Sequence, residues 1–472
     1  SKRSIIKEKE SKIVLLFPDG VDIRNYLYSR VFKGLENNLV LFHNFDYKTV
    51  SSISENTSIS DSLIIPIYNE SIKEKFLREL ICLSRLYYNA DRVENNSILA
   101  YWKWNQKTFS KKIFYKLIEC IAPFTKDYTK ILKLERKYQL EIRRNPFYFE
   151  VKDILQKVNP RVVFCSHQRS LKAATIFAAA TDLGIKTTTV IYSWDNLPKA
   201  RMALSADNYL VWSNYMKKEM ELYYPEIPEE KIHVTGSPQF EFYRDENNII
   251  DKAVFYKKYN LDPNKKIICF SGDDILTSPD DPSYLRDIAN EIIKANLQDK
   301  YQILLRRCPV DFSERFEKVV NEYKDLIKEA IPLWHFNSSK EWSAVYPSVD
   351  DVKLLVSTAF YSDVVVNVGS TMAFDFTMFN KPCVFINYDQ SAKNSEDWSV
   401  QTIYQFQHFR SMPNKESVIW LNSKEEIVEK IIPNEKNYSD SFMKKWFNVI
   451  LDSKENSASA NINEMITNSH KN

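Results

Sequence analysis

Glycine is scarce in this chain. The 472 residues hold six, at positions 20, 34, 184, 236, 272 and 369, where ordinary usage of about 7% would give about 33. A chain this poor in glycine keeps it where the backbone tolerates no side chain. Four of the six, Gly20, Gly236, Gly272 and Gly369, follow apolar runs of strand type, which points to strand ends that form one ligand cleft. No Cys-x-x-Cys pair occurs among the cysteines at 82, 120, 165, 269, 308 and 383, so reduced core thiols are expected. No apolar run approaches the ~18 residues of a membrane span. The lysine-rich first residues contain no apolar segment of signal-peptide type, so a cytoplasmic location is expected, with any membrane attachment peripheral on the inner face. Charge of one sign is missing as well. With 65 basic and 62 acidic residues the formal charge is +3, which gives no general argument for a nucleic-acid partner. The six histidines form no close ligand pair, and the acidic pairs 273–274 and 280–281 lack a third carboxylate. No metal site is expected.

What is present is core. Apolar residues make up 44% and aromatic residues 14% of a chain too long for one ordinary core, so two domains are expected. The organising stretch is VVVNVGSTMAFDF at 364–376. Its first five residues read as a buried strand, Gly369, Ser370 and Thr371 as a tight turn that caps a helix, and 372–379 as that helix. Such a turn leaves N–H groups directed out of the sheet edge, suited to phosphate. Asp375, five positions beyond Ser370, lies a little over one turn on, at the same mouth. The next buried strand is 382–387.

The same alternation runs through the rest of the chain. Strands are expected at 12–17, 39–43, 62–67, 161–166, 187–192, 209–212 and 232–235, with helices between them, including 26–35 and 71–88. The Ser/Asn-rich stretch 49–60 reads as a loop. A second series begins at 266–270 and continues with 301–305, a helix over 312–328, and the strands near 364 and 382; the last strand is 418–421. This rhythm predicts an α/β protein of two Rossmann-like, doubly wound domains facing a cleft, at 1–240 and 241–432. Residues 433–472 are read as a C-terminal helix followed by a mobile Ser/Asn-rich tail from about 453. Segment 101–145 stands apart as a basic helical insertion. It carries twelve Lys/Arg against four Asp/Glu, interleaved with aromatic residues, so contact with a membrane surface or an acidic partner is one reading and a solvated basic face the other.

Three motifs carry a resemblance: YSWDNL at 192–197, VTGSPQ at 234–239, and NVGSTMAFD at 367–375 with NKP at 380–382. With them the chain resembles two-domain glycosyltransferases of the GT-B type. It is similar to bacterial surface-polysaccharide transferases (capsule and lipopolysaccharide among them) related to UDP-N-acetylglucosamine 2-epimerases and CDP-glycerol glycerophosphotransferases. The resemblance extends from about 161 to 432 and does not include the insertion. It implies a nucleoside diphosphate sugar as donor substrate, held by the second domain without a cofactor or metal, and a glycan or lipid-linked acceptor on the first. Gly369, Ser370 and Thr371 match the turn that meets the donor diphosphate, and Asp375 an acidic position near sugar or ribose. In LRRCP at 305–309, Cys308 stands where the family often has histidine, which leaves Arg306 and Arg307 as the charge source and weakens a polyol-phosphate transferase reading. The same motifs are compatible with a sugar-nucleotide 2-epimerase, or with a non-catalytic GT-B-like scaffold in glycan assembly.

Transfer to a hydroxyl requires a base. Asp19, Asp22, His167 and Asp195 all follow expected strands. Asp19 is otherwise a helix cap, His167 a bonded loop residue, and Asp195 with Asn196 a self-bonded turn. Gly20 and Arg24 beside Asp19, Asn196, and the turns at Gly236-Ser237 and Gly272 complete the expected substrate-binding set. Arg306 and Arg307 offer guanidinium forks for phosphate, or one of them an internal ion pair.

Overall fold

The computed structural model describes residues 11–57, 59, 61–336, 345–432, 440–451 and 457–469. The chain forms two compact units. Among the described residues the first comprises 11–57, 59, 61–238, 336, 450–451 and 457–469, and the second 239–335, 345–432 and 440–449.

In the first unit seven strands form one parallel sheet: β1 (Ile13–Leu16), β2 (Leu39–His43), β3 (Asp61–Ile64), β4 (Val162–Cys165), β5 (Lys186–Val190), β6 (Asn208–Val211) and β7 (Ile232–Val234). Their spatial order is β3-β2-β1-β4-β5-β6-β7. The strands β1, β2 and β4 are buried along their whole length, as parallel strands covered on both faces must be. The chain leaves β1 toward β2 on one side and returns to β4 on the other, in register from Ile13 opposite Val162 to Leu16 opposite Cys165. That reversal of winding opens a crevice at the carboxyl ends of β1 and β4.

In the second unit the sheet has six parallel strands: β8 (Lys266–Ser271), β9 (Tyr301–Arg306), β10 (Ile327–Glu329), β11 (Val364–Asn367), β12 (Cys383–Ile386) and β13 (Ile419–Leu421). Their order is β10-β9-β8-β11-β12-β13. The reversal falls between β8 and β11, where Val364 pairs with Ile268 and Val366 with Phe270. Each unit is thus Rossmann-like and doubly wound, as the alternation in the sequence implies.

Several local expectations are corrected. The stretch read as a loop at 49–60 contains helix α1 (Tyr47–Asn56), because Asp46 caps it by accepting from the Thr49 N–H at 2.8 Å and Ile53 is buried. The helix expected over 26–35 is one π-helical segment, Ile23–Leu27. The helix expected over 312–328 shrinks to Glu317–Glu322, since Ile327 is drawn into the sheet edge opposite Ile303. Residues 452–456 and 470–472 of the tail, His470 included, lie outside the described residues, but 458–467 is helical rather than mobile. The Ser457 hydroxyl caps that helix by accepting from the Ala460 N–H, Ile462 and Ile466 are buried, and the Asn463 amide donates to the carbonyls of Val31 and Lys33.

The insertion lies between β3 and β4. Helix α2 (Ile72–Val93) begins at a reciprocal cap in which Ser71 and Glu74 satisfy each other's backbone. It is followed by α3 (Phe109–Thr125), α4 (Tyr128–Ile142) and α5 (Pro146–Val158), and then β4. Arg85 on α2 anchors it. This side chain is 2% exposed, pairs with Glu226 and with Glu135 at 3.2 Å, donates to the Tyr223 carbonyl and lies over the Tyr224 ring. It borders a cavity of about 410 Å³ between α4 and the loop at Met202. Removing one partner from a buried ion network leaves uncompensated charge, at about 3–5 kcal/mol. Arg85→Ala is therefore expected to lower the unfolding free energy by about that amount in chemical denaturation; a loss near zero would show that the network does not hold the insertion.

Candidate active site

At the crevice of the first unit, the carboxyl end of β1 supplies Asp19, Gly20 and Asp22, followed by Arg24 on the π-helical segment. The end of β4 supplies Ser166, His167 and Arg169, and the end of β5 supplies Tyr192. Asp19 caps the turn by accepting from the Val21 N–H at 2.9 Å, and the Tyr192 side chain also bonds to it. Burial raises its pKa, against the pull of these bonds and of Arg24 and Arg169. Asp22 is buried and accepts from the Ser166 hydroxyl at 2.6 Å. Burial first, and then the neighbouring Asp19, push its pKa well up. Gly20 is buried in the same turn, and the Arg24 Nε donates to Asn25 at 3.0 Å.

His167 is in the expected place with its ring stacked on Tyr192, centroids 4.3 Å apart. Its Nδ1 accepts from the Arg169 N–H at 3.3 Å, and burial lowers its pKa to about 3. The imidazole is therefore neutral and a weaker base than an ordinary histidine, and its Nδ1 bond is the one expected of a bonded loop residue. Asp195 and Asn196 form the self-bonded turn. Asp195 pairs with Lys199 at 2.7 Å and accepts from the Asn196 amide at 3.0 Å, while Asn196 accepts from Gln168 at 3.0 Å. Gln168 in turn accepts from the Tyr192 N–H at 2.8 Å, so this turn supports the crevice wall. Gly236 takes a positive φ of +82°, and Ser237 is buried. Both follow the edge strand β7, three strands and roughly 14 Å from β4, so the structure does not bring them to this crevice. The preceding Thr235 carbonyl accepts from Asn461 of the C-terminal helix.

At the crevice of the second unit, Gly272 follows β8 and Gly369 follows β11. Gly369 has φ +63°, and a Cβ there would meet the Phe409 ring at 2.9 Å. The Asn367 Oδ1 accepts from the Ser370 N–H at 3.0 Å, and the Ser370 Oγ from the Met372 N–H at 3.2 Å. Thr371 is exposed and its side chain caps nothing. The helix that follows spans Met372–Thr377, shorter than expected. On it, Asp375 accepts from the Tyr243 hydroxyl at 2.6 Å. Gly272 is close-packed for an internal reason, since a Cβ would lie 3.0 Å from Phe316. Asp273 and Asp281 face each other beside Ser370, and burial raises both pKa values.

The two arginines divide as neighbours on a strand must. Arg306 points inward, 5% exposed, and pairs with the buried Asp351 at 3.1 Å. Asp351 also accepts from the Leu333 N–H and the Trp334 indole. Arg306 is therefore removed from the phosphate-binding set. Arg307 points outward, pairs with Glu329 at 3.6 Å, and lines a recess of about 270 Å³ with Asp311, Arg315 and Phe316. The cation missed in the sequence is Arg315. It donates to Asp311 at 2.8 Å and to the carbonyls of Ser278 and Asp273 at 2.6 and 2.7 Å. Only the four-residue spacing from Asp311 signals it. Tyr192 and Arg169 were likewise missed as site residues, although Tyr192 opens the YSWDNL motif and Arg169 lies two positions beyond His167.

Two doubly wound Rossmann-like domains, each with polar residues at its winding reversal, define the GT-B fold. A UDP-N-acetylglucosamine 2-epimerase shares that fold with a TM-score of 0.51, at 11% identity over 97% of this chain and 95% of its own. The Neisseria meningitidis UDP-GlcNAc 2-epimerase, solved with UDP-GlcNAc, gives 0.47 at 10% identity over 96% and 98%. The wall teichoic acid polymerase TagF gives 0.47 at 12% over 97% and 88%. No protein-family model and no curated protein sequence matches the chain.

Two outcomes follow from this geometry. Arg306→Ala is expected to cost about 3–5 kcal/mol of stability, because it strands Asp351, whereas Arg307→Ala costs less than about 1 kcal/mol; equal effects in urea unfolding would contradict the division. A carboxyl with a raised folded pKa contributes stability below its unfolded pKa and loses it as pH rises through the folded value. Asp22→Asn, uncharged at every pH and still able to accept from Ser166, should therefore raise the thermal midpoint at neutral pH and above, and change it little below about pH 4, where the carboxyl is protonated in both states. A pH-independent difference would refute that assignment.

Proposed function

We propose that the chain is a metal-independent glycosyltransferase that moves a sugar from a nucleoside diphosphate sugar to a surface polysaccharide or lipid-linked glycan acceptor. The observation that carries this reading is Asp19, a partly desolvated carboxyl at the winding reversal of the first sheet, held by Val21 and Tyr192. Its raised pKa makes it a stronger base than an ordinary carboxylate, which suits removal of a hydroxyl proton. In the proposed step the acceptor oxygen bonds to the anomeric carbon, the bond from that carbon to the diphosphate oxygen breaks, and the acceptor proton passes to Asp19. On the second unit, where the Ser370 N–H is taken by Asn367, the Gly369 and Thr371 N–H groups and the outward cation Arg307 are the candidates to hold a diphosphate.

A second reading, a sugar-nucleotide 2-epimerase, draws support from the pair of neighbouring carboxyls Asp19 and Asp22 with raised pKa values, since proton transfer at a sugar carbon needs such groups. The two differ in product. An epimerase needs no acceptor and returns the sugar inverted at one carbon.

The test is a thermal-shift screen with UDP, GDP, CMP, CDP and dTDP sugars, with and without magnesium. One strong shift independent of magnesium, weakened in Ser370→Ala and retained in Asp19→Asn, is expected. Asp19→Asn should then lower turnover of that donor at least about 100-fold. No shift with any nucleotide would overturn the reading and favour a non-catalytic scaffold.

A further inference from the structure

Helix α3 has two apolar faces, and only one is covered. Tyr115, Ile118 and Ala122 are buried, and Lys75 of α2 lies over the rings of Phe114 and Tyr115. On the other side Phe109 is 79%, Ile113 49%, Leu117 49% and Phe124 75% exposed, and Cys120 is exposed among them. Spacings of four, four, three and four residues place these five side chains on an arc of about 80°. Single exposed apolar residues are ordinary in a folded protein; here five share one helix face. Lys112 and Lys116 lie along one flank of the stripe, both exposed. On the next helix, α4, Lys130, Lys133, Arg136 and Lys137 are exposed too.

We propose that this stripe of α3 is a docking surface for an anionic lipid bilayer. Among the described residues no helix is long and apolar enough to cross a membrane, so the contact lies in the interface plane. A second copy of the chain fits poorly. The stripe is about 22 Å long and about 10 Å wide, roughly 220 Å², against about 800 Å² per partner in a stable protein pair. Its flanking lysines would also face one another across a two-fold contact. An amphipathic helix needs only such a stripe to embed at the headgroup boundary, and lysines beside it meet anionic headgroups. Not every aromatic residue of the insertion takes part. The indoles of Trp102 and Trp104 both donate to Glu119, and the outward rings of α3 are Phe109 and Phe124.

The inference goes beyond the glycosyl-transfer reading and is tested without any nucleotide. The full chain is sedimented with vesicles of mixed phosphatidylcholine and phosphatidylglycerol, and with vesicles of phosphatidylcholine alone. Preferential binding to the anionic vesicles is expected, weakening as salt is raised. Ile113→Ser/Leu117→Ser, both at exposed positions, should lower it at least about tenfold with an unchanged thermal midpoint. Lys112→Gln/Lys116→Gln should weaken the preference for phosphatidylglycerol, with the α4 cations left in place. Absence of binding to either vesicle, equal binding by the serine variant, or a dimer that the serine variant dissociates would overturn the proposal.

Discussion

The structure depends on strands that are buried on both faces. In IVLL at β1, VVFC at β4 and CVFI at β12 every residue is buried, so nothing in these strands can take part in polar chemistry. Every donor and acceptor has to appear where a strand ends and its backbone must turn. That constraint explains why Asp19, Ser166, His167 and Tyr192 gather at one end of the first sheet, and Asp273, Arg307 and Ser370 at one end of the second. It also explains why their protonation is unusual. A carboxyl at the end of a buried strand sits at the edge of a low-dielectric slab, and desolvation is the leading cause of the raised pKa of Asp19, Asp22, Asp273 and Asp281.

The same constraint decides what could be read from the sequence. Most strands were legible because unbroken apolar runs bounded by turns have few other meanings; β10, inside the stretch read as a helix, was not. The parallel sheets and their winding followed from the alternation with helices. Side-chain direction at a strand end was not legible. Arg306 and Arg307 are adjacent and chemically alike, yet one is buried against Asp351 and the other opens to a recess. The outcome depends on Asp351, forty-five positions away, and no local pattern encodes it. His167 lies where expected, but the burial that makes it neutral comes from the packing around it. The C-terminal helix was missed for the opposite reason. Its Ser/Asn-rich composition suggests disorder, whereas Asn461 and Asn463 use their amides to satisfy carbonyls of the first unit.

Glycine gave partial guidance. Of the four glycines at strand ends, Gly236 and Gly369 need a positive φ, and a Cβ at Gly272 would press on the Phe316 ring. Scarcity alone does not mark function, because the chain also places other residues in the left-handed region. Asn159, Asn260, Asn296 and Asn380 all adopt φ between +51° and +57°, and asparagine bears that conformation at lower cost than most side chains. Gly369 differs because two demands coincide there. Its backbone requires a positive φ, and the space a Cβ would fill is taken by Phe409, Tyr404 and Ile403.

The insertion shows how a domain can carry a long excursion without disturbing its sheet. Nearly one hundred residues separate β3 from β4, yet β4 pairs with β1 in continuous register. Such an excursion needs its own anchor, and an apolar one would leave its orientation loosely specified. Arg85 supplies direction as well as attachment. Its guanidinium reaches Glu135 on α4, and Glu226 and the Tyr223 carbonyl on the Rossmann-like body, so few poses of α2 satisfy all three. With α2 fixed and one face of α3 packed on it, the other face of α3 has no freedom to turn inward. Its apolar stripe is therefore held outward by the same buried charge that fixes the insertion to the sheet.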